Sequence, residues 1–194
     1  MFDRIKKETE DFLEPLCQFF LKHNITPNSI TYLSFIIALA ASALVIKGML
    51  FIACWVYLFA GALDMIDGQV ARRTKSSKKG AFLDSTFDRF SETAAAIAFI
   101  FYFQHHPHPI LNMAPIILLF IATSLLTSYM RARAEGLGFD CKVGIMQRPE
   151  RVVLTCFGLV FGGNVLGWII LVIAVAGLFS VIQRFFHTIR LIGG

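Results

Sequence analysis

The sequence predicts an all-α integral membrane protein with six transmembrane helices and an N-terminal interfacial amphipathic helix. Two observations support this fold class. Of the 194 residues, 56% are hydrophobic and only 16% are charged, whereas about 25% of residues are charged in soluble proteins. The sequence also contains apolar runs close to the roughly 20 residues that a helix needs to cross a bilayer. We therefore expect a single membrane domain over residues 1–194.

The six predicted spans begin after residue 26 and form a core over residues 26–190. The last apolar run is free of charge for 32 residues, too long for one span, and the turn-forming sequence Gly162-Gly163-Asn164 divides it into two. The third run is short, and we expect a preceding helix that carries Asp84, Asp88 and Glu92 to extend it. The apolar runs cover residues 30–46, 49–63, 93–104, 110–130 and, for the last two spans, 152–183.

The first 25 residues are predicted to form a helix that lies in the membrane interface. Acidic residues alternate there with Leu and Phe, and the segment lacks the apolar centre of a signal peptide. We expect this helix to bend near Pro15. Thr26 is a suitable N-cap for the first span, with Pro27 at its first helical position.

The distribution of basic residues predicts the orientation. When the six spans alternate in direction, Lys47 is the only one of the 18 Lys and Arg residues in a connection on the opposite side. Basic connections remain in the cytoplasm, so we expect a multi-pass protein of the cell membrane whose active site faces the cytoplasm. The net charge of +5 then reflects topology and contact with anionic membrane lipids, and we expect no nucleic-acid partner.

Four aspartates are the strongest indication of chemistry. Asp64 and Asp67 are three residues apart and Asp84 and Asp88 are four apart, so each pair lies on one helix face. Unpaired carboxylates beside apolar spans are costly, and oxygen ligands of this kind favour Mg²⁺, or Mn²⁺ as the alternative. Two ions that share these carboxylates would leave positions for phosphate oxygens. The nearby Arg72 could bind such a phosphate.

The spacing of these residues resembles the signature of the CDP-alcohol phosphatidyltransferase family. That signature is Asp-x2-Asp-Gly-x2-Ala-Arg followed, after a short gap, by Gly-x3-Asp-x3-Asp, and it is complete from Asp64 to Asp88. Further segments resemble the phosphatidylinositol-phosphate synthase branch of bacteria and its archaeal archaetidylinositol-phosphate counterparts. These segments are residues 26–31, 128–136, 148–151 and 183–184.

The resemblance implies a role for each matching residue. Asp64, Asp67 and Asp84 would be ligands shared by two metal ions, and Asp88 would be both a ligand and the general base. The implied contacts to the CDP-lipid are Asn28, Ser29, Ile30, Thr31, Gly68, Arg72 and Ser77. The phosphate of the acceptor would be held by Arg131, Arg151 and Arg184. The resemblance also implies a homodimer.

The implied reaction moves the phosphatidyl group of CDP-diacylglycerol onto a hydroxyl of inositol phosphate and releases CMP. The branch usually has Lys at the position of Arg131 and often Glu at that of Gln147. A phosphatidylglycerol-phosphate synthase that uses glycerol 3-phosphate is therefore the alternative within the family. A divalent-cation carrier is the alternative from another class; it would explain the aspartates but give the arginines no role.

Overall fold

The computed structural model describes residues 13–74 and 77–193, and these residues form seven helices and no strand. The first helix, α1, covers residues 13–22. The other six are α2 (Pro27–Ile46), α3 (Leu50–Arg73), α4 (Lys78–His105), α5 (Met113–Gly136), α6 (Arg148–Phe161) and α7 (Gly163–Gly193).

Four of these helices, α2, α3, α5 and α7, are long and apolar enough to cross a membrane. Helix α4 has 28 residues, but charged side chains occupy its first half. Helix α6 has only 14 residues, which at 1.5 Å per residue gives about 21 Å, short of a hydrocarbon core of about 30 Å. The six predicted apolar segments therefore correspond to α2–α7, of which four meet the requirements for a span.

The helix boundaries follow local sequence signals. The hydroxyl of Thr26 accepts a hydrogen bond from the Ser29 amide at 3.3 Å, and Pro27 lies in the first turn of α2, as predicted. The predicted break in the last apolar run is also confirmed. Helix α6 ends before Gly162, whose φ of 92° is in the left-handed region that favours glycine.

Helix packing brings the signature segments of α3 and α4 together. Helix α2 packs against both of them, α5 packs against α7, and α6 packs against α3 and α7. A large apolar core includes Phe99, Ile117 and Ile170. A smaller cluster joins α1, α2 and α3. Packing against α2 therefore positions the carboxylates of both α3 and α4, and α3 also packs against α6.

Helix α1 packs against the polar end of α3. Cys17 is fully buried in the smaller cluster, while Phe19 is half exposed. Arg73 donates two hydrogen bonds of 2.6 and 2.7 Å to the Glu14 carboxylate, and these lower the pKa of Glu14 to about 2. Residues 1–12 of the predicted interfacial helix lie outside the described residues.

Candidate active site

Three of the four aspartates of the signature form one cluster. Asp64 on α3 and Asp84 and Asp88 on α4 each place a carboxylate oxygen within 4.8 Å of the other two. Oxygens on opposite sides of a Mg²⁺ ion are about 4.2 Å apart, twice the usual ligand distance of about 2.1 Å. The three carboxylates are therefore spaced, within a small adjustment, to hold one hard divalent cation such as Mg²⁺ or Mn²⁺.

The fourth aspartate, Asp67, is directed to a different partner. Its carboxylate accepts a hydrogen bond of 2.6 Å from the hydroxyl of Thr31 on α2, and both residues are buried. Asp67 is one helical turn from Asp64 but is not among the three clustered carboxylates. The structure thus brings together three of the predicted ligands and links the fourth to α2.

Arg148 is a site residue that sequence reasoning missed. Its Nη1 lies 2.5 Å from Oδ2 of Asp64, and its Nη2 lies 2.6 Å from Oδ1 of Asp88. Arg89 makes a longer contact, 3.4 Å, to the other oxygen of Asp88. Arg148 is the first residue of α6 and is followed by Pro149, a residue favoured at the start of helices. Its segment carried part of the family resemblance, but its charge partners lie 60 or more positions away in the chain.

A cavity of about 530 Å³ adjoins the aspartate cluster. Asp84 belongs to the cluster and also lines the cavity. Three of the seven residues predicted to contact the CDP-lipid, Asn28, Thr31 and Ser77, are in the cavity wall. The cavity therefore places several polar side chains, within a mainly apolar wall, beside the carboxylates.

The other four predicted lipid contacts lie outside that wall. Ser29 bonds to Thr26, and Ile30 is almost fully buried in the smaller apolar cluster. Arg72 is exposed on the last turn of α3, and its guanidinium lies over Gly68, where an added Cβ would be 3.6 Å from Nη1. Gly68 therefore lies directly beneath the guanidinium of Arg72, at ordinary van der Waals distance.

The predicted acceptor arginines come from α5, α6 and α7. Arg131 is exposed and pairs with Glu135 at 2.8 Å. Arg184 is buried, and its guanidinium donates to the carbonyl oxygens of Val143 and Thr127. Thr127 is one helical turn from Arg131 on α5. Arg151 donates to the carbonyl oxygen of Met146, whose amide donates to Ser180, one turn from Arg184 on α7. The three predicted residues therefore do lie in one region.

Arg151 is part of a buried ion pair. It donates two bonds of 2.9 and 2.6 Å to one oxygen of Glu92, and Ser124 donates to the other oxygen. Both charged side chains are at least nine-tenths buried. Sequence reasoning placed Glu92 only on the helix of Asp84 and Asp88, and a pairing between residues 59 positions apart leaves no local pattern that could have predicted it.

Comparisons with known proteins agree on one family. A family model described as CDP-alcohol phosphatidyltransferase matches residues 24–180. An archaetidylinositol phosphate synthase of Methanothermobacter thermautotrophicus is 33% identical over 96% of this chain and 93% of its own. A phosphatidylinositol phosphate synthase of Corynebacterium glutamicum is 32% identical over 92% of this chain and 84% of its own.

Solved structures give the same result. The Mycobacterium tuberculosis phosphatidylinositol phosphate synthase with CDP-DAG bound aligns with a TM-score of 0.79 and 28% identity, over 90% of this chain and 92% of that one. The same enzyme in complex with manganese and citrate aligns with a TM-score of 0.79 and 30% identity, over 90% and 87%. The family depends on divalent metal ions.

Proposed function

The chain belongs to the CDP-alcohol phosphatidyltransferase family, and on that premise we propose that it transfers the phosphatidyl group of CDP-diacylglycerol to a hydroxyl of inositol phosphate. CMP is the leaving group. The observation that carries the proposal is the position of Asp84, which belongs to the carboxylate cluster and also lines the cavity. Two relatives are named as synthases of archaetidylinositol phosphate and of phosphatidylinositol phosphate, and these names support this choice of acceptor.

The cavity wall supplies the contacts to the nucleotide lipid in this proposal. Asn28, Thr31 and Ser77 present an amide and two hydroxyl groups to the cavity, and Arg72 lies at the nearby end of α3. The four aspartates would hold two Mg²⁺ ions, or Mn²⁺, whose positive charge would offset the negative charge that develops on the departing CMP. We assign Ser29, Ile30 and Gly68 to the same subsite by family resemblance.

Asp88 serves as the general base in the proposed mechanism. Its carboxylate takes the proton from the acceptor hydroxyl as that oxygen attacks the phosphorus that bears the lipid. Arg148 and Arg89 contact different oxygens of Asp88 and so fix the orientation of its carboxylate. This arrangement supports direct transfer of the phosphatidyl group, in which the pyrophosphate bond to CMP breaks as the bond to the acceptor hydroxyl forms.

The acceptor phosphate is assigned to Arg131, Arg151 and Arg184. A guanidinium has five N–H donors and stays charged, which suits a dianionic phosphate. The backbone contacts of Arg184 use its Nε and Nη1, and its remaining donors can serve a ligand. Arg131 is the most exposed of the three, so we assign it the most direct contact.

We extend the proposal to the domain organisation, the membrane topology and the oligomeric state on the basis of the sequence and the family. One domain over residues 1–194, with an interfacial segment at 1–25 and six membrane-crossing helices within 26–190, would lie in the cytoplasmic membrane. The basic connections would face the cytoplasm, together with the active site. The protein would act as a homodimer.

Release of CMP separates this proposal from a divalent-cation carrier. Purified protein in detergent should release CMP from CDP-diacylglycerol only when inositol phosphate and Mg²⁺ or Mn²⁺ are both present. In liposomes loaded with a cation indicator, the same protein should cause no cation uptake. Cation uptake without CMP release would favour the carrier and overturn the proposal.

Gly80→Ala should weaken binding of the CDP-lipid. An added Cβ would lie 3.0 Å from Oδ1 of Asn28 and 3.2 Å from Oγ of Ser77, so both side chains must shift within the cavity wall. We expect KM for CDP-diacylglycerol to rise about three- to tenfold, the cost of disturbing one or two hydrogen bonds. Gly136→Ala is the matched control because an added Cβ there meets nothing within 4 Å. An unchanged KM in Gly80→Ala would remove Asn28 and Ser77 from the lipid subsite.

Arg131→Ala should weaken binding of the acceptor alone. We expect KM for inositol phosphate to rise about tenfold, as for the loss of a charged hydrogen bond, with KM for CDP-diacylglycerol unchanged. Arg133→Ala removes the same charge from an exposed position on the same helix and should behave as wild type. Equal effects of the two substitutions would show that Arg131 acts only through general positive charge.

A further inference from the structure

Glu92 is a buried carboxylate on α4, one helical turn beyond Asp88. Its Oε1 accepts bonds of 2.9 and 2.6 Å from Nε and Nη2 of Arg151, and its Oε2 accepts a bond from the hydroxyl of Ser124 on α5. Desolvating two charges is costly, and replacing a buried ion pair by apolar residues is often neutral or stabilising. The stability of the fold is therefore only a weak reason for this pair.

The contacts of Arg151 hold its guanidinium in one orientation. Two of its five N–H groups donate to Glu92, and a third, on Nη1, donates to the carbonyl oxygen of Met146 at 3.2 Å. In these contacts among the described residues, one N–H remains on each terminal nitrogen. Two such donors suit the oxygens of a phosphate. The contact with Glu92 therefore sets the direction in which Arg151 offers them.

The network that begins at Glu92 also reaches Arg184. The amide of Met146 donates to the hydroxyl of Ser180 at 2.8 Å, one turn before Arg184 on α7. Arg184 in turn donates at 2.6 Å to the carbonyl oxygen of Thr127 on α5, the helix that also contacts Glu92. These contacts join α4, α5, α6 and α7 in a closed ring. The ring contains two of the three arginines assigned to the acceptor phosphate.

Two roles for Glu92 at the acceptor site predict opposite effects. If its charge only offset that of Arg151, loss of the charge would strengthen the attraction of a phosphate. If its carboxylate orients Arg151, loss of the contact geometry would weaken phosphate binding even when the charge is kept. The structure favours orientation, because Ser124 fixes one carboxylate oxygen while two nitrogens of Arg151 bond to the other.

We propose that Glu92 is a positioning residue that orients Arg151 for the phosphate of the acceptor. Its own oxygens are engaged by Arg151 and Ser124, so it acts on the acceptor only through Arg151. An arginine that is already ordered loses less side-chain entropy when it binds its ligand. The inference deepens the proposed function and rests on it for the identity of the acceptor.

Two substitutions of Glu92 separate charge from geometry. Glu92→Asp keeps the charge but is shorter by one C–C bond, about 1.5 Å, so its carboxylate cannot contact both Arg151 and Ser124. We expect KM for inositol phosphate to rise about tenfold. Glu92→Gln loses the charge but keeps the length and an oxygen that can accept both bonds, so KM should stay within about threefold of wild type. KM for CDP-diacylglycerol should be unchanged in both variants.

A double substitution tests whether Glu92 acts through Arg151. In an Arg151→Met background, Glu92→Asp should cause no further rise in KM for inositol phosphate, since the guanidinium is absent. If Arg151→Met does not fold, the contrast between Glu92→Asp and Glu92→Gln decides the inference. Glu14→Gln removes a carboxylate that pairs with Arg73, outside the ring, and should retain the wild-type KM.

Thermal unfolding of each variant measures stability separately. A purely structural role would lower the Tm of Glu92→Asp and leave KM for inositol phosphate unchanged, which would overturn the inference. A KM for Glu92→Gln that is lower than wild type, or as high as for Glu92→Asp, would also overturn it. So would the full effect of Glu92→Asp in the Arg151→Met background.

Failure of the proposed function has a different signature. In that case the wild type would release no CMP with inositol phosphate. Binding without turnover is measured by phosphorus NMR titration of inositol phosphate, and of glycerol 3-phosphate in parallel, with the full chain in detergent. The contrast between the two Glu92 variants should appear there for the phosphate that binds. Binding of neither phosphate to the wild type would overturn the inference.

Discussion

Asp84→Asn is expected to lower the rate of CMP release at least about 10²-fold, and added metal should not restore it. The substitution keeps the size of the side chain but removes a charged oxygen from the three-carboxylate cluster. Losing one ligand of a catalytic cation site typically costs at least this much. Asp64→Asn should behave in the same way and should also remove the ion pair between Asp64 and Arg148.

The measurement is a CMP-release assay over a range of Mg²⁺ concentrations. Asp140→Asn is the matched control, since Asp140 is an exposed carboxylate that pairs with Lys142 in a connection between helices. It should retain wild-type turnover. Activity of Asp84→Asn within a few-fold of wild type would contradict the assignment of the cluster as the metal site.

Asp88→Asn should abolish turnover while binding of CDP-diacylglycerol persists. An amide cannot accept the proton of the attacking hydroxyl. The proposed metal ligands Asp64 and Asp84, together with Arg72 and the cavity wall, are unchanged and should still hold the nucleotide lipid. We expect kcat to fall at least about 10³-fold, since loss of general-base action adds to the loss of a ligand. Binding is measured with the lipid substrate in detergent, separately from turnover.

The outcome of this substitution also tests where the proton goes. If Asp88→Asn retained most of its kcat, proton removal would have to be assigned to another group, such as the phosphate of the acceptor. If binding of the lipid were lost along with turnover, Asp88 would be a ligand whose main role is substrate binding.

The positions and ends of the helices could be predicted from the sequence because the residues that determine them are close together in the chain. Apolar runs, the Thr26-Pro27 start and the Gly162 break all depend on neighbouring residues, and the structure agrees with each of them. The span predicted at α6 stays a prediction, because this helix has only 14 residues and its length does not by itself identify a span.

The candidate site could be predicted only in part, for a similar reason. The spacing within each aspartate pair is a local property and indicated the cluster. The ion pairs of Arg148 with Asp64 and of Arg151 with Glu92 join residues 84 and 59 positions apart. Such pairings depend on how helices pack, and a single sequence holds no periodic signal for them.

The identity of the lipid product tests the central claim most directly. Purified protein is given CDP-diacylglycerol, Mg²⁺ and equal concentrations of inositol phosphate and glycerol 3-phosphate, and the products are identified by mass spectrometry. Free inositol is offered in a parallel reaction. We predict phosphatidylinositol phosphate as the dominant product and little product from free inositol, since the proposed arginine site binds a phosphate. A dominant phosphatidylglycerol phosphate product would contradict the account.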